Sequence, residues 1–183
     1  MKSANFVFNP LKFTSLVVFI SILVIPEFCP AQYRGVRFKH EGIGTVIEGG
    51  AYIPFELYKG AGGFNAVVGM HFSEQYYGGL TIGLDGFETD IFVPIGLDFR
   101  YFLMDEAFTP FLSFDGGYAA NIDNMSSSML FYQGSVGLRF FMNQVFAIIP
   151  STGYRGMHPL SAVAGEIGSA PFGIWELRLG FSF

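Results

Sequence analysis

The stretch Trp175-Glu176-Leu177-Arg178-Leu179-Gly180-Phe181-Ser182-Phe183 alternates between apolar and polar side chains at every position. Such period-two alternation is typical of a β-strand whose two faces meet different environments. In water, an exposed strand with so large an apolar face would be prone to aggregation. The stretch therefore predicts a strand of a barrel whose outside faces lipid and whose inside is polar.

The composition is that of a membrane protein without helical spans. The 183 residues fit one domain, 51% of them are hydrophobic and 23 are Phe. The mean hydropathy is +0.42. Beyond residue 31, however, no run of about 20 apolar residues could form a transmembrane helix. The two properties together favour a transmembrane β-barrel.

Residues 1–31 have the pattern of an export signal. Lys2 and Lys12 provide positive charge, Phe13 to Ile25 form an apolar run, and Cys29-Pro30-Ala31 fits a cleavage site. We predict cleavage after Ala31, because the apolar run is too short for a membrane anchor. A lipoprotein is the alternative, but residues 26–28 lack the leucine and small residues of a lipid-attachment site.

Cleavage would change the chemistry open to the mature chain. The single cysteine, Cys29, would leave, so neither a disulfide nor a reactive thiol is expected. Loss of Lys2, Lys12 and Glu27 would change the formal net charge from −5 to −6. We expect no binding to nucleic acid, because surfaces that bind it are basic.

After a short periplasmic lead-in, residues 32–42, the chain divides into eight alternating segments separated by turn-forming residues. Residues 43–183 are thus predicted to form an eight-stranded antiparallel up-and-down transmembrane β-barrel. The longer connections follow the odd-numbered strands, which predicts that both termini lie in the periplasm. Pro150 makes the seventh strand, 145–154, the weakest, and 155–171 the longest loop. The predicted strands are 43–53, 64–73, 76–85, 91–102, 110–121, 129–141, 145–154 and 172–183.

Placing the large apolar face outward leaves a set of charged residues inside, where they must be paired. Asp98 and Asp115 are predicted at one level, with Arg100 and Arg139 one layer nearer the periplasm. The predicted interior charge network is Glu48, Asp98, Arg100, Asp115, Arg139, Glu176 and Arg178. We interpret it as a structural plug. An ion path is the alternative, which the small lumen of an eight-stranded barrel disfavours.

Candidates for catalysis are few. His71 lies on the second strand, and His158 lies near Ser161 and Glu166 in the last loop. None of them belongs to a nucleophile motif, and the histidine spacing does not suit a metal site. We therefore predict no catalytic, metal-binding or cofactor-binding residue. The last loop could serve as a recognition or adhesive surface.

Several segments resemble the small outer-membrane β-barrel domain family of Gram-negative bacteria. They are VPIGLDFRYF (93–102), PFLSFDGGYA (110–119), GSVGLRFF (134–141) and the terminal Phe183 with alternating apolar residues before it. The resemblance implies insertion by the barrel-assembly machinery, which would recognise the terminal strand. It transfers no catalytic residue. The implied assembly signal is Trp175, Leu177, Leu179, Phe181 and Phe183.

The sequence thus predicts a monomeric outer-membrane barrel, in contact with outer-membrane lipid, that acts structurally or through its outer loops. A lipid-modifying enzyme of the lipid A deacylase or acyltransferase type is one alternative. A soluble lipocalin-like binding barrel is another, which would require polar residues outside and an apolar cavity.

Overall fold

The computed structural model describes residues 42–54, 61–87, 90–104, 107–123, 127–160 and 171–183. Neighbouring strands are antiparallel, and the last strand pairs with the first, which closes the sheet. The predicted fold, an eight-stranded up-and-down barrel, is confirmed. The predicted signal peptide and most of the lead-in lie outside the described residues. The strands are β1 (Gly42–Pro54), β2 (Ala61–His71), β3 (Tyr76–Gly86), β4 (Ile91–Phe102), β5 (Phe108–Asn121), β6 (Met129–Phe141), β7 (Ala147–Pro159) and β8 (Phe172–Ser182).

The strand register gives the barrel a stagger of ten residues. A path through paired residues leaves β1 at Gly44 and returns to it at Pro54, so the stagger is 54 − 44 = 10. At about 3.3 Å per residue and 4.8 Å between strands, this stagger corresponds to a strand tilt of about 40°. A strand of 11 residues, such as β8, then rises about 28 Å, enough to cross the apolar band of a transmembrane barrel. The path runs through Gly44, Gly69, Gly79, Asp98, Asp115, Gln133, Arg155, Ile174 and Pro54.

Side chains alternate between the lumen and the outer surface along each strand. On β8, Ile174, Glu176 and Arg178 are buried, whereas Trp175 and Leu179 are exposed. The same alternation exposes large apolar side chains in the middle of other strands. The period of two therefore separates a polar inside from an apolar outside, as the sequence predicts.

The two ends of the barrel differ in their connections. The end that carries Gly42 and Phe183, here called the terminal end, is joined by a backbone hydrogen bond of 2.9 Å from Thr45 N–H to the Phe183 carbonyl. Its connections are 72–75, 103–107 and 142–146. The opposite end, here called the loop end, has the connections 55–60, 87–90, 122–128 and 160–171. The longest connection therefore lies at the loop end.

The predicted boundary between the seventh strand and the last loop was wrong. The sequence predicts that the loop begins at Arg155, but β7 continues to Pro159. Pro150 has no N–H to donate, and the β6–β7 pairing is broken locally between Gly137↔Ser151 and Phe140↔Ile148. On the far side of this gap the pairing resumes. A single proline therefore weakens the ladder without ending the strand.

Candidate functional site: a buried charge network in the lumen

All seven residues of the predicted interior network are buried. They lie on β1, β4, β5, β6 and β8, and they point into the lumen. The structure adds Arg155 of β7 to this set, together with Asp85, whose inward direction the alternation of β3 indicates. The nine charged side chains are here called the lumen network. They are Glu48, Asp85, Asp98, Arg100, Asp115, Arg139, Arg155, Glu176 and Arg178.

Glu48 is one centre of the lumen network. Its Oε1 accepts a hydrogen bond of 2.8 Å from Arg100 Nη1, and its Oε2 accepts one of 3.0 Å from Arg178 Nη1. Arg100 also donates to Asp98, from Nε at 2.9 Å and from Nη2 at 2.8 Å. Charge-assisted and bidentate contacts of this kind are the strongest hydrogen bonds in proteins. They join β1, β4 and β8 through the barrel interior.

Arg155 is the second centre. It forms an ion pair with Asp85, and its Nε lies 2.7 Å from Glu176 Oε1 and donates 2.9 Å to Gln133 Oε1. The Tyr52 hydroxyl donates to the same Asp85 carboxylate. The contact with Glu176 does not meet hydrogen-bond geometry, so we regard it as an electrostatic contact. This centre lies nearer the loop end than the Glu48 centre.

Arg178 connects the two centres. Its Nε lies 3.4 Å from Glu176 Oε2, and its Nη2 donates a hydrogen bond of 2.8 Å to the Ser135 hydroxyl. The same Nη2 lies 3.9 Å from Asp115 Oδ2, a long contact for an ion pair. Because Arg178 also binds Glu48, one guanidinium is shared among several carboxylates.

Apolar layers cover the lumen network on both sides. At the loop end, buried side chains including Tyr52, Phe92 and Phe131 form one cluster, with Phe87 packed edge-on against Phe92 at a ring distance of 5.6 Å. At the terminal end, a second cluster comprises Val46, Val67, Tyr77, Phe102, Phe111 and Ile149. The charged groups that lie between the two clusters are therefore separated from bulk water by hydrophobic side chains, which strengthens their mutual attraction.

Arg139 lies at the terminal end of the lumen network. Its guanidinium carbon is 3.7 Å from the centre of the Phe102 ring and 4.6 Å from that of Phe141, within cation–π range. A cavity of about 60 Å³ lies beside it, lined also by His71 and Tyr77. Arg139 is paired with Thr109, whereas Asp115 is paired with Gln133, so Arg139 lies three inward positions from that pair rather than the predicted one layer.

Two lumen glycines provide space for the network. A Cβ atom at Gly180 would lie 2.7 Å from Glu48 Cγ, and one at Gly50 would lie 2.7 Å from Arg178 Cγ. Both distances are well inside van der Waals contact. These glycines allow the long side chains of opposite charge to pass close to the barrel wall.

The outer surface has the opposite character. None of the outward-facing positions in the described strand residues is Asp, Glu, Lys or Arg. In mid-strand the surface is highly apolar, with Leu97 67% exposed and Leu80 66% exposed. The hydroxyl of Thr152, an outward polar group, donates 2.9 Å to the Glu176 carbonyl. Such internal satisfaction is what a hydrocarbon surrounding requires.

Aromatic side chains lie near both ends of the outer surface. Tyr76 and Tyr101 are in ring contact at 5.1 Å near the terminal end, and Tyr154 and Trp175 at 6.1 Å nearer the loop end. Tyrosine and tryptophan prefer membrane–water interfaces, where the ring is in the apolar region and the polar atom reaches water. The arrangement is typical of the two aromatic girdles of a transmembrane barrel.

The two histidines considered for catalysis are far apart in the fold. His71 is half-buried at the terminal end, with ring contacts to Tyr77 at 5.0 Å and Phe102 at 5.7 Å. His158 is exposed on β7 at the loop end. Ser161 and Glu166, the predicted neighbours of His158, lie outside the described residues. The two histidines therefore do not form one site.

Within the described ranges, no three His, Cys, Asp or Glu side chains are placed to hold a metal ion. No helix in the same part of the chain has the length and apolar character needed to cross a membrane.

Solved structures share the barrel architecture. Neisserial surface protein A has 11% sequence identity and a TM-score of 0.55, over 76% of this chain and 94% of its own. The N-terminal β-barrel domain of OprF from Pseudomonas aeruginosa has 17% identity and a TM-score of 0.51, over 76% and 97%. A de novo designed transmembrane β-barrel has 11% identity and a TM-score of 0.50, over 81% and 98%. At these identities the similarity establishes the fold. No family model and no curated protein matches the chain.

Proposed function

We propose that this protein is an integral β-barrel of the bacterial outer membrane with a side-chain-filled lumen. It would act as a structural element or through contacts made by its outer loops. The observation that carries the proposal is the division of polarity, with charges buried in the lumen and an uncharged, apolar outer surface on the described strands. In a membrane, the outer surface is in contact with lipid, and the closed barrel leaves no strand edge unpaired.

Localisation and orientation follow from the same proposal. The exported chain would lose residues 1–31, be inserted by the barrel-assembly machinery through its terminal strand, and remain a monomer with both termini in the periplasm. The difference between the terminal end and the loop end supports this orientation, because outer-membrane barrels have their longer loops outside the cell.

Membrane extraction tests the proposal directly. We expect the protein to remain in the membrane fraction in high salt and to be released by detergent. The detergent extract should show heat-modifiable mobility on a gel, since a closed barrel resists unfolding without heat. Protease treatment of intact cells should cut within 160–171 and leave the connections at the terminal end uncut. Release by salt alone would contradict the proposal and favour the soluble lipocalin-like alternative.

A second measurement tests the filled lumen. The lumen network and the two apolar layers occupy the interior, so we expect no stable single-channel steps in planar bilayers. Stepwise conductance from purified protein would contradict the plug and favour the ion path.

The lipid-modifying enzyme is the alternative in a different functional class. It would need a nucleophile and a base within hydrogen-bond reach on a lipid-accessible surface. His71→Ala and His158→Ala test it separately, because the two side chains lie at opposite ends. We expect lipid A from cells carrying either variant to have the acylation pattern of the wild type. Loss of a wild-type lipid A modification in one variant would support the enzyme.

A further inference from the structure

The lumen network contains an unequal number of charges. Within the described residues, five carboxylates (Glu48, Asp85, Asp98, Asp115 and Glu176) are buried together with four guanidiniums (Arg100, Arg139, Arg155 and Arg178). With every group ionised, these nine described side chains would carry one uncompensated negative charge. A buried charge without compensation is strongly unfavourable, because the interior cannot replace the hydration it loses.

The geometry indicates that Asp115 is the carboxyl group whose negative charge lacks compensation. Asp98 and Asp115 are direct Cα partners across the β4–β5 ladder, so their inward carboxyl groups lie at one level. Asp98 has its own cation, since Arg100 donates to it from both Nε and Nη2. Asp115 has the long contact of 3.9 Å with Arg178 Nη2, and that nitrogen already donates to Ser135. Asp115 thus shares a cation that is directed to other partners.

The Asp115 oxygen that faces Arg178 has no hydrogen-bond donor within hydrogen-bond distance. Oδ2 is buried and accepts no hydrogen bond, and it lies between the two apolar layers of the lumen. A cavity of about 10 Å³, the space of a single water, adjoins the residue. Polar groups of the other strands that face this cavity are Glu48, Asn65, Thr81, Gln133, Arg155 and Arg178. Ionisation of both of two adjacent, buried carboxyl groups is unfavourable, because their negative charges repel each other.

We propose that the Asp98–Asp115 pair is a proton-binding site of the lumen. The native barrel keeps one proton on the pair, carried by Asp115, while Asp98 stays ionised against Arg100. Among these nine described side chains, four carboxylates then balance four guanidiniums. This inference does not depend on the role of the outer loops.

The stability of isosteric variants toward urea tests the proposed site. Asp115→Asn replaces a neutral acid by a neutral amide, so we expect the urea midpoint of the barrel in lipid vesicles to stay at the wild-type value. Asp98→Asn removes one of the two carboxylates that hold Arg100, so the urea midpoint of this variant should fall. A midpoint of Asp115→Asn that falls as far as that of Asp98→Asn, or failure of Asp115→Asn alone to fold, would overturn the proposal.

Infrared spectroscopy tests it without relying on stability. At neutral pH the wild-type barrel in vesicles should show the C=O stretch of a protonated carboxyl group, and Asp115→Asn should lack it. Asp123→Asn is the matched control, because Asp123 is exposed in a connection at the loop end and should leave the band in place. Absence of the band from the wild type, or its persistence in Asp115→Asn, would contradict the proposal.

Discussion

Arg100 of β4 reaches across the lumen to Glu48 of β1, with 2.8 Å between Nη1 and Oε1. The two strands are not neighbours in the sheet, since β1 pairs with β2 and β8. The contact is therefore a link through the barrel interior that backbone pairing does not supply. Because Arg178 of β8 binds the other oxygen of the same carboxylate, Glu48 is held from two directions.

Glu48→Gln should lower the free energy of unfolding by about 3–5 kcal/mol. The substitution leaves two buried guanidiniums without the carboxylate that they share, and removal of one partner of a buried ion pair carries a cost of this size. Urea unfolding in lipid vesicles measures it. Glu74→Gln, in the exposed connection 72–75, is the control and should change the value by less than about 0.5 kcal/mol. Equal effects of the two substitutions would show that Glu48 is not an energetic centre.

Arg155→Met should also destabilise the barrel by about 3–5 kcal/mol, because it removes the guanidinium paired with Asp85 and one of the two that contact Glu176. In a double-mutant cycle, Asp85→Asn should remove part of this cost. The Asn side chain can still accept the hydrogen bond of the Tyr52 hydroxyl. We expect a coupling energy of about 0.5–3 kcal/mol between positions 155 and 85. Additive effects would mean that the pair does not interact in the folded barrel.

A charge on the outer surface should reveal the position of the membrane. Leu97 lies in the middle of β4 and is exposed on the outer surface. Leu97→Arg should make folding into vesicles less favourable by about 2–4 kcal/mol. Met104→Arg, in the exposed connection 103–107, should cost at most about 1 kcal/mol, because it lies near the interface. Folding measured by heat-modifiable mobility gives both values. A tolerated arginine at 97 together with a costly one at 104 would contradict the proposed placement of the bilayer.

Gly180→Ala should destabilise the barrel by about 1–3 kcal/mol. The new methyl group would meet Glu48 Cγ at 2.7 Å, and Glu48 cannot move freely while two arginines hold it. Gly134→Ala is a matched change on the outer surface, where an added Cβ has nothing within 4 Å. Its unfolding free energy should stay within about 0.5 kcal/mol of the wild type. Equal unfolding free energies of Gly180→Ala and Gly134→Ala would show that the space beside Gly180 is not needed for packing against Glu48.

Most of the fold could be predicted from the sequence, whereas exact strand bounds could not, most clearly at the end of β7. Alternation along β8 and the other strands indicates whether each side chain points into the lumen or to the outside. Successive residues of a strand point to opposite sides of the sheet. Arg155 was missed because Pro150 made the facing of the seventh strand unclear, and the strand was predicted to end at Tyr154. The available signal was the continued inward series Ser151, Gly153, Arg155 and Met157, all of which are buried. A proline removes one donor from a ladder, and a closed barrel tolerates that loss.

The sequence by itself determined the strand number, the closed antiparallel architecture and the division into a polar inside and an apolar outside. These features depend on local periodicity. Only the tertiary structure decided which charges meet, because partners such as Glu48 and Arg178 are 130 residues apart and are brought together by barrel closure and a ten-residue stagger. Alternation says that a side chain points inward. Its height and its neighbour depend on the register of all eight strands together.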